Sequence, residues 1–462
     1  MNREKLLGLP QWLQKLKSAR QPEVIPAGLY HFPRIAGNDK TRLHLRIDPD
    51  GSGTLLINAS SILYLNQTAS LIAYHHFNKR GLEVIQQLID QTFDSPPENI
   101  SEQIQLIIRD LESFIKADGA PVNTYSGVEI NTPFSQHPSA PYRMDLALTY
   151  RCNNDCQHCY NARLRTYPEL STVMWKNIID RCWELNIPHL IFTGGEPTLR
   201  EDLPELIRHA EGNGQITGLN TNGRRLQDKD FIQQLVDAGL DHVQITLESH
   251  NAEIHDKMVN LRGAWKQTVA GLENAIDSPL FVMTNTTMLQ DNYQSMDQTL
   301  DFLGELNVPT VGLNALIYSG RGKDVGTGLS EEELKPLLTL ARQKTEAQGQ
   351  KLIWYTPTLY CHFNPLEMDL GVKGCTAALY NMCIEPDGGV IPCQSYYHQL
   401  GNLLDDSWKS IWEHDLALSL RERSNIPGEC QVCSLLEECG AGCPLAYAEQ
   451  PRILEPIIPP AN

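Results

Sequence analysis

The sequence predicts an α/β chain: a parallel sheet or open barrel, preceded by a small winged-helix unit and followed by a loop-rich, cysteine-rich segment. Three observations predict it. From residue 143 onward, six apolar runs alternate with helix-patterned stretches. Ahead of them, three short strand patterns precede three helical ones. All twelve cysteines lie at or after Cys152, ten of them in two clusters.

Residues 1–40 read as a short helix and a proline-containing linker. Residues 41–120 form the winged-helix unit. Leu43, Leu45 and Ile47 alternate as a strand, Asp48-Pro49-Asp50-Gly51 makes a turn, and Thr54 to Ile57 and Ile62 to Leu65 follow as strands. Thr68 opens a helix to about Phe77. Leu82, Ile85, Leu88 and Ile89 have helical spacing, as do Ile104, Ile107, Ile108, Leu111 and Ile115. Residues 121–140 are rich in Pro, Ser, Thr and Asn and read as a linker.

The α/β region runs over 141–350. Its strands are Met144–Thr149, His189–Thr193, Ile216–Thr221, His242–Leu247, Leu280–Met288 and Thr310–Leu316. Helices fall between them, at Ser171–Glu184, Asp202–Glu211, Asp228–Ala238, Trp265–Ala275 and Tyr293–Leu306, and a further helix lies in 330–350. In such folds the chemistry sits on loops beyond the C-terminal ends of the strands. Residues 351–450 are cysteine-rich and short of core, so bound metal is expected to supply part of their folding energy. Residues 451–462 are an irregular, proline-rich tail.

Composition narrows the function. The 38 basic and 56 acidic residues leave a formal charge of −18, which argues against a general nucleic-acid binder. No apolar run is long enough to span a membrane. The N-terminus is amphipathic and lacks the apolar core of a signal peptide, so a cytoplasmic location and no membrane partner are expected. Clustered thiols in such a chain read as metal sites rather than disulfides.

Cys152-x3-Cys156-x2-Cys159 directly follows the first strand of the α/β region. Three thiolates on one loop are three of the four ligands of an iron–sulfur cubane, with one iron left for a non-protein ligand. A zinc site is the other reading, but zinc usually wants four protein ligands, and His158 lies inside a tight interval. One βα unit later, Thr193-Gly194-Gly195-Glu196-Pro197 offers close backbone approach and a carboxylate suited to an ammonium group.

Together these motifs closely resemble the radical S-adenosylmethionine (radical SAM) enzymes. The resemblance implies an oxidoreductase with a partial (β/α)6 barrel and a 4Fe–4S cluster on Cys152, Cys156 and Cys159. It implies that the open iron chelates SAM, whose reductive cleavage yields a 5′-deoxyadenosyl radical. An electron donor such as a flavodoxin or ferredoxin is then expected. Gly194, Gly195 and Glu196 would hold the SAM amine. Thr246, Glu248 and Ser249 lie where the family has a Ser-Leu-Asp run, and Asn285 and Arg321 are further SAM-contact candidates. His158 replaces the aromatic residue often found before the third cysteine, a variant frequent in peptide-modifying members.

Cys375-x12-Gly388-x4-Cys393, with Cys383 between, precedes Cys430-x2-Cys433-x5-Cys439-x3-Cys443. A zinc ribbon would use such spacing, but the whole pattern resembles the SPASM extension, which binds one or two auxiliary iron–sulfur clusters. By motif, Cys375, Cys383, Cys393 and Cys443 would hold cluster I, and Cys430, Cys433 and Cys439 cluster II. The family's last cysteine is missing. Cluster II then has a non-cysteine ligand, recruits Cys361, stays open to substrate or is absent. Cys182 reads as core.

Residues 41–120 carry no basic recognition helix. They resemble the RiPP recognition element, the winged-helix fold of the peptide chaperone in pyrroloquinoline quinone synthesis, in the run Leu55 to Leu65 followed by Asn66-Gln67-Thr68-Ala69. In that family a precursor leader adds as a strand to the sheet. The three resemblances imply a maturase of a ribosomally made peptide, forming a thioether, carbon–carbon or carbon–oxygen bond. Epimerisation would need a hydrogen-atom donor, for which Cys361 is the catalytic candidate. The alternatives are a sulfatase-type maturase, an enzyme acting on a haem precursor, and a zinc-binding winged-helix adaptor.

Overall fold

In the computed structural model, which describes residues 25–36, 39–58, 61–92, 99–116 and 138–448, the chain divides into two compact units, Met1–Ser139 and Ala140–Asn462. Residues 1–24 of the expected 1–40 helix and linker, most of the 121–140 linker and the 451–462 tail lie outside the described residues.

The N-terminal unit is an antiparallel sheet of β1 (Gly28–Ala36), β2 (Asp39–Ile47), β3 (Gly53–Ile57) and β4 (Ser61–Leu65), paired in chain order. Three helices follow, α1 (Gln67–Phe77), α2 (Leu82–Thr92) and α3 (Ile100–Lys116). Asn66 caps α1 by accepting from the Ala69 amide at 2.8 Å. Leu43, Leu45, Leu55, Ile57, Leu63 and Leu65 pack on Ile72, Ile85, Ile104 and Leu111 as a closed core.

One correction concerns residues 28–36, expected as linker. They form β1, which pairs along the whole of β2, from Gly28 opposite Ile47 to Ala36 opposite Asp39. Tyr30 and Phe32 alternate toward α1, with ring centroids 4.8 Å from Tyr74 and 5.4 Å from Phe77. Pro33 disguised the strand. Proline is tolerated there because β1 lies at the edge of the sheet.

The larger unit is built on six consecutive parallel strands: β5 (Arg143–Thr149), β6 (His189–Gly194), β7 (Ile216–Thr221), β8 (His242–Thr246), β9 (Phe281–Thr287) and β10 (Thr310–Asn314). The intervening helices are α4 (Thr172–Glu184), α5 (Leu203–Asn213), α6 (Lys229–Ala238), α7 (Ala252–Met258), α8 (Ala264–Ile276), α9 (Met296–Glu305) and α10 (Glu331–Ala347). Ser171 and Asp228 accept from backbone amides at the starts of α4 and α6, where the sequence begins those helices. Met144, Leu146, Leu148, Leu190, Phe192 and Val243 form the core with the helices, and Cys182 is buried among them. The opposite side chains, such as Thr193, Gln244, Thr246 and Asn285, line the hollow of a partial (β/α)6 barrel.

The sheet does not stop at residue 350. β11 (Lys351–Trp354) pairs parallel with β10. At the other edge, β12 (Asn381–Ile384) pairs parallel with β5, and β13 (Gly389–Ile391) and β14 (Gly401–Asn402) continue antiparallel. Ten strands therefore form one open sheet. Met382, Ile384, Val390 and Leu403 join the barrel's core, so the cysteine-rich segment shares that core rather than building its own. Five short helices follow, α11 (Trp408–Trp412), α12 (Asp415–Glu422), α13 (Gly428–Gln431), α14 (Leu436–Cys439) and α15 (Pro444–Ala448). Among the described residues, no helix is long and apolar enough to cross a membrane.

Candidate functional site

A cavity of about 1350 Å³ opens at the C-terminal ends of the barrel strands. Cys152, Cys156 and Cys159 all line it from the loop after β5. Their side chains are half-buried and none is in a disulfide. Burial pushes all three thiols up, Cys152 to about 11. A bound metal reverses that sense, because a coordinating thiol is deprotonated. Among the described residues, no group of three Cys, His, Asp or Glu side chains converges as the ligands of one metal ion do. A four-iron cluster takes each thiolate on a different iron, so its ligands ring the cluster and do not meet at a point.

The loop has little secondary structure and is held by arginines from elsewhere. Arg165 donates to the Cys152 carbonyl at 3.0 Å and the Asn154 carbonyl at 2.6 Å. Arg224 reaches the Asn153 carbonyl at 2.6 Å. Arg321 donates to the carbonyls of Asp155 and Cys156 at 3.0 and 3.1 Å, and to the Asp155 carboxylate at 2.6 Å. The Arg321 hydrogen bond holds the Asp155 carboxyl below its ordinary range. Arg321, expected as a SAM contact, thus lines the cavity with its guanidinium engaged by the cysteine loop.

Gly194 and Gly195 also line the cavity, and the structure supplies a reason for both. Gly194 has φ +133°, and a Cβ there would lie 2.2 Å from the Thr149 carbonyl oxygen. A Cβ on Gly195 would lie 2.3 Å from the Arg151 carbonyl oxygen. The close approach lets the Gly195 amide donate to Thr149 at 2.7 Å and the Glu196 amide to Arg151 at 2.8 Å. The glycine pair seats the cysteine loop.

Glu196 departs from expectation. It is not among the residues lining the cavity. Its Oε1 accepts from the Thr198 and Thr221 hydroxyls at 2.6 and 2.7 Å, and its Oε2 from the Asn222 amide at 2.8 Å. Burial raises its pKa, and those bonds oppose the rise only in part.

Thr246, Glu248 and Asn285 line the cavity, whereas Ser249 does not. The Ser249 hydroxyl instead accepts from the Asn251 amide at 3.1 Å. Glu248 is fully buried, with Oε1 2.9 Å from His158 Nε2 and Oε2 accepting from the Thr287 amide at 2.9 Å. Burial opposes the His158 imidazolium, but the Glu248 carboxylate outweighs it and raises the pKa. Asn285 Oδ1 is buried without a hydrogen-bond partner in a residue that faces the cavity. Such an orphaned acceptor fits an incoming ammonium or hydroxyl group.

Cys375, Cys393 and Cys443 line the same cavity. Burial raises the Cys375 thiol, and the neighbouring Cys443 and Cys393 thiols raise it further. Cys383 is not itself a lining residue, but it lies close enough to Cys393 for that thiol to add to the burial that raises it. It sits on β12, opposite Ile391 on β13 and Asp145 on β5, and packs with Ala147, Tyr150 and Ile391. Cys361, Cys430, Cys433 and Cys439 are not among the lining residues either. The tying residues Arg165 and Arg224 escaped sequence reading. Only the Arg163-x-Arg165 pair just after Cys159 was a local signal.

A model of the radical SAM superfamily matches residues 146–303, and a model of the SPASM iron–sulfur cluster-binding domain matches residues 375–434. The chain is 28% identical to AdoMet-dependent heme synthase of Methanosarcina barkeri, over 69% of this chain and 95% of that protein. It is 29% identical to the mycofactocin maturase MftC of Mycolicibacterium smegmatis, over 67% of this chain and 80% of that one. Its fold matches that of Streptococcus suis SuiB bound to precursor peptide SuiA, with a TM-score of 0.66, 16% identity, and coverage of 90% of this chain and 97% of that one. The chain therefore carries a radical SAM domain followed by a SPASM domain, and its cofactors are a 4Fe–4S cluster with SAM and auxiliary iron–sulfur clusters.

Proposed function

We propose that the protein modifies a ribosomally made precursor peptide whose leader binds the N-terminal unit and whose core enters the barrel cavity. The observation that carries the reading is the additional sheet-and-helix unit ahead of the barrel. The heme synthase aligns over nearly all of its own length yet covers only 69% of this chain. The SuiB fold, seen with a precursor peptide, covers 90%.

The N-terminal unit has the shape for strand addition. β1 covers the outer edge of β2, so among the strands spanning 43–65 the open edge is that of β4. Ile62 on β4 is 39% exposed and offers an apolar contact beside that edge. A leader paired there would gain main-chain hydrogen bonds for affinity and side-chain contacts for specificity.

In this reading Cys152, Cys156 and Cys159 hold the SAM cluster. Gly194 and Gly195 seat the loop, and Asn285 Oδ1 and Thr246 receive SAM polar groups. Glu248 holds His158 and so the middle of the cysteine loop. When bound, cluster and SAM supply a radical that takes a hydrogen atom from the substrate. Cys375, Cys383, Cys393 and Cys443 hold an auxiliary cluster beside the same cavity, from which it would exchange an electron with the substrate. The electron donor is a small redox protein such as a flavodoxin or ferredoxin.

The test is binding of a synthetic precursor peptide to the full chain and to a chain lacking residues 1–139. Micromolar binding that disappears with the truncation supports the reading, and unchanged binding contradicts it. A haem precursor as substrate is the second reading, favoured by the sequence relatives named heme synthase.

A further inference from the structure

Seven C-terminal cysteines cannot furnish eight thiolates for two cubanes, and Cys361 lies outside their motif. The fold brings it to them. The loop from Thr358 to Cys361 packs on α14. The Tyr360 amide donates to Cys439 Sγ at 3.4 Å, and the Cys439 thiol donates to the Thr358 carbonyl at 3.4 Å. A Cβ on Gly442 would lie 3.2 Å from the Leu359 side chain. Cys430 and Cys433 sit on the preceding turn, with the Cys433 amide donating to the Cys430 carbonyl at 3.2 Å, and the Leu436 amide to the Cys433 carbonyl at 3.2 Å.

None of the four is in a disulfide.

We propose that Cys361 supplies the fourth thiolate of an iron–sulfur cluster held by Cys430, Cys433 and Cys439, in place of the cysteine missing after Cys443. The assignment rests on the reading that the C-terminal cysteines bind auxiliary clusters. Ligation forms one Fe–S bond, breaks the S–H bond and releases the proton to solvent, with no change of oxidation state. The Tyr360 amide bond to Cys439 is of the kind that tunes cluster sulfurs. The competing donor is Glu438, one of whose carboxylate oxygens is buried without a partner. Iron–sulfur clusters favour soft thiolate over carboxylate, which selects Cys361. The cluster is then closed by protein on all four irons and apart from the cavity, and Cys361 is no hydrogen-atom donor.

The test is anaerobic iodoacetamide labelling of the iron-loaded full chain, mapped by mass spectrometry before and after chelation. Protection of Cys361, Cys430, Cys433 and Cys439 together, lost together on chelation, is expected. Labelling of Cys361 while the other three stay protected overturns the assignment. Labelling of all four in the loaded chain overturns the underlying cluster reading and the assignment with it. Iron analysis and Mössbauer spectra add a second readout. Cys361→Ala should lose about one to four irons per chain, and Glu438→Ala none. The reverse pattern also overturns the assignment.

Discussion

The Arg163 guanidinium forks onto the Glu385 carboxylate, with Nε 2.6 Å from Oε1 and Nη2 2.7 Å from Oε2. Arg163 follows the third cysteine of the SAM loop, and Glu385 directly follows β12 of the cysteine-rich segment, so the pair ties two cofactor regions together. Glu385 is fully buried and also accepts from the Tyr150 hydroxyl at 3.1 Å. The rings of Tyr167 and Tyr397 lie 5.4 and 5.3 Å from the guanidinium carbon. Glu385→Ala leaves a partly buried cation unpaired and should cost about 3–5 kcal/mol in urea unfolding of the apo chain. Glu385→Gln keeps a neutral acceptor and should cost less. Equal, negligible losses from both variants would show the pair to be idle.

Gly195→Ala drives a Cβ into the Arg151 carbonyl oxygen, 2.3 Å away. The first cysteine follows Arg151 directly, so the variant should lose about four irons per chain, those of the SAM cluster, and keep the auxiliary iron. Iron analysis beside a Cys152→Ala control checks it. Full iron in Gly195→Ala would remove the seating role.

Asn285→Ala removes the orphaned acceptor in the cavity wall. A hydrogen bond to a charged group contributes about 1.5–3 kcal/mol, so SAM affinity should fall roughly 10- to 100-fold. Equilibrium dialysis with the iron-loaded protein measures it. An unchanged Kd would place SAM away from Asn285.

His242 supplies a pH dependence. Burial, with the nearby Arg143 charge, lowers its pKa to about 4. The folded state therefore holds this histidine neutral, whereas the unfolded chain protonates it near pH 6.5. The contribution is full above pH 6.5 and lost as pH falls toward 4, about 3 kcal/mol across that window. Urea midpoints of the apo chain should drop over it, and less steeply in His242→Gln. Parallel slopes would contradict the burial argument.

Much of the barrel was legible because strands such as β5 and β6 carry apolar runs and helices such as α4 and α6 open on the caps Ser171 and Asp228. β1 was hidden because Pro33 reads as a breaker, and only pairing with β2 and the packing of Tyr30 and Phe32 reveal it. The cysteines were legible because their spacing is local. What surrounds them was not. Arg321 reaches back 166 residues to Asp155, and Glu385 is 222 residues from Arg163. Glu196 looked like an open carboxylate until Thr198, Thr221 and Asn222 claimed its oxygens. Cys383 shares a motif with Cys393, and pairing with β5 and β13 sets it between Asp145 and Ile391.

The most direct test of the central claim is mass spectrometry of a short peptide encoded beside the gene and co-expressed with the protein. The reading predicts a mass change in the peptide that is abolished by replacing Cys152, Cys156 and Cys159 with alanine and by deleting residues 1–139. A peptide left unmodified by an iron-loaded protein that cleaves SAM on a haem precursor would contradict it.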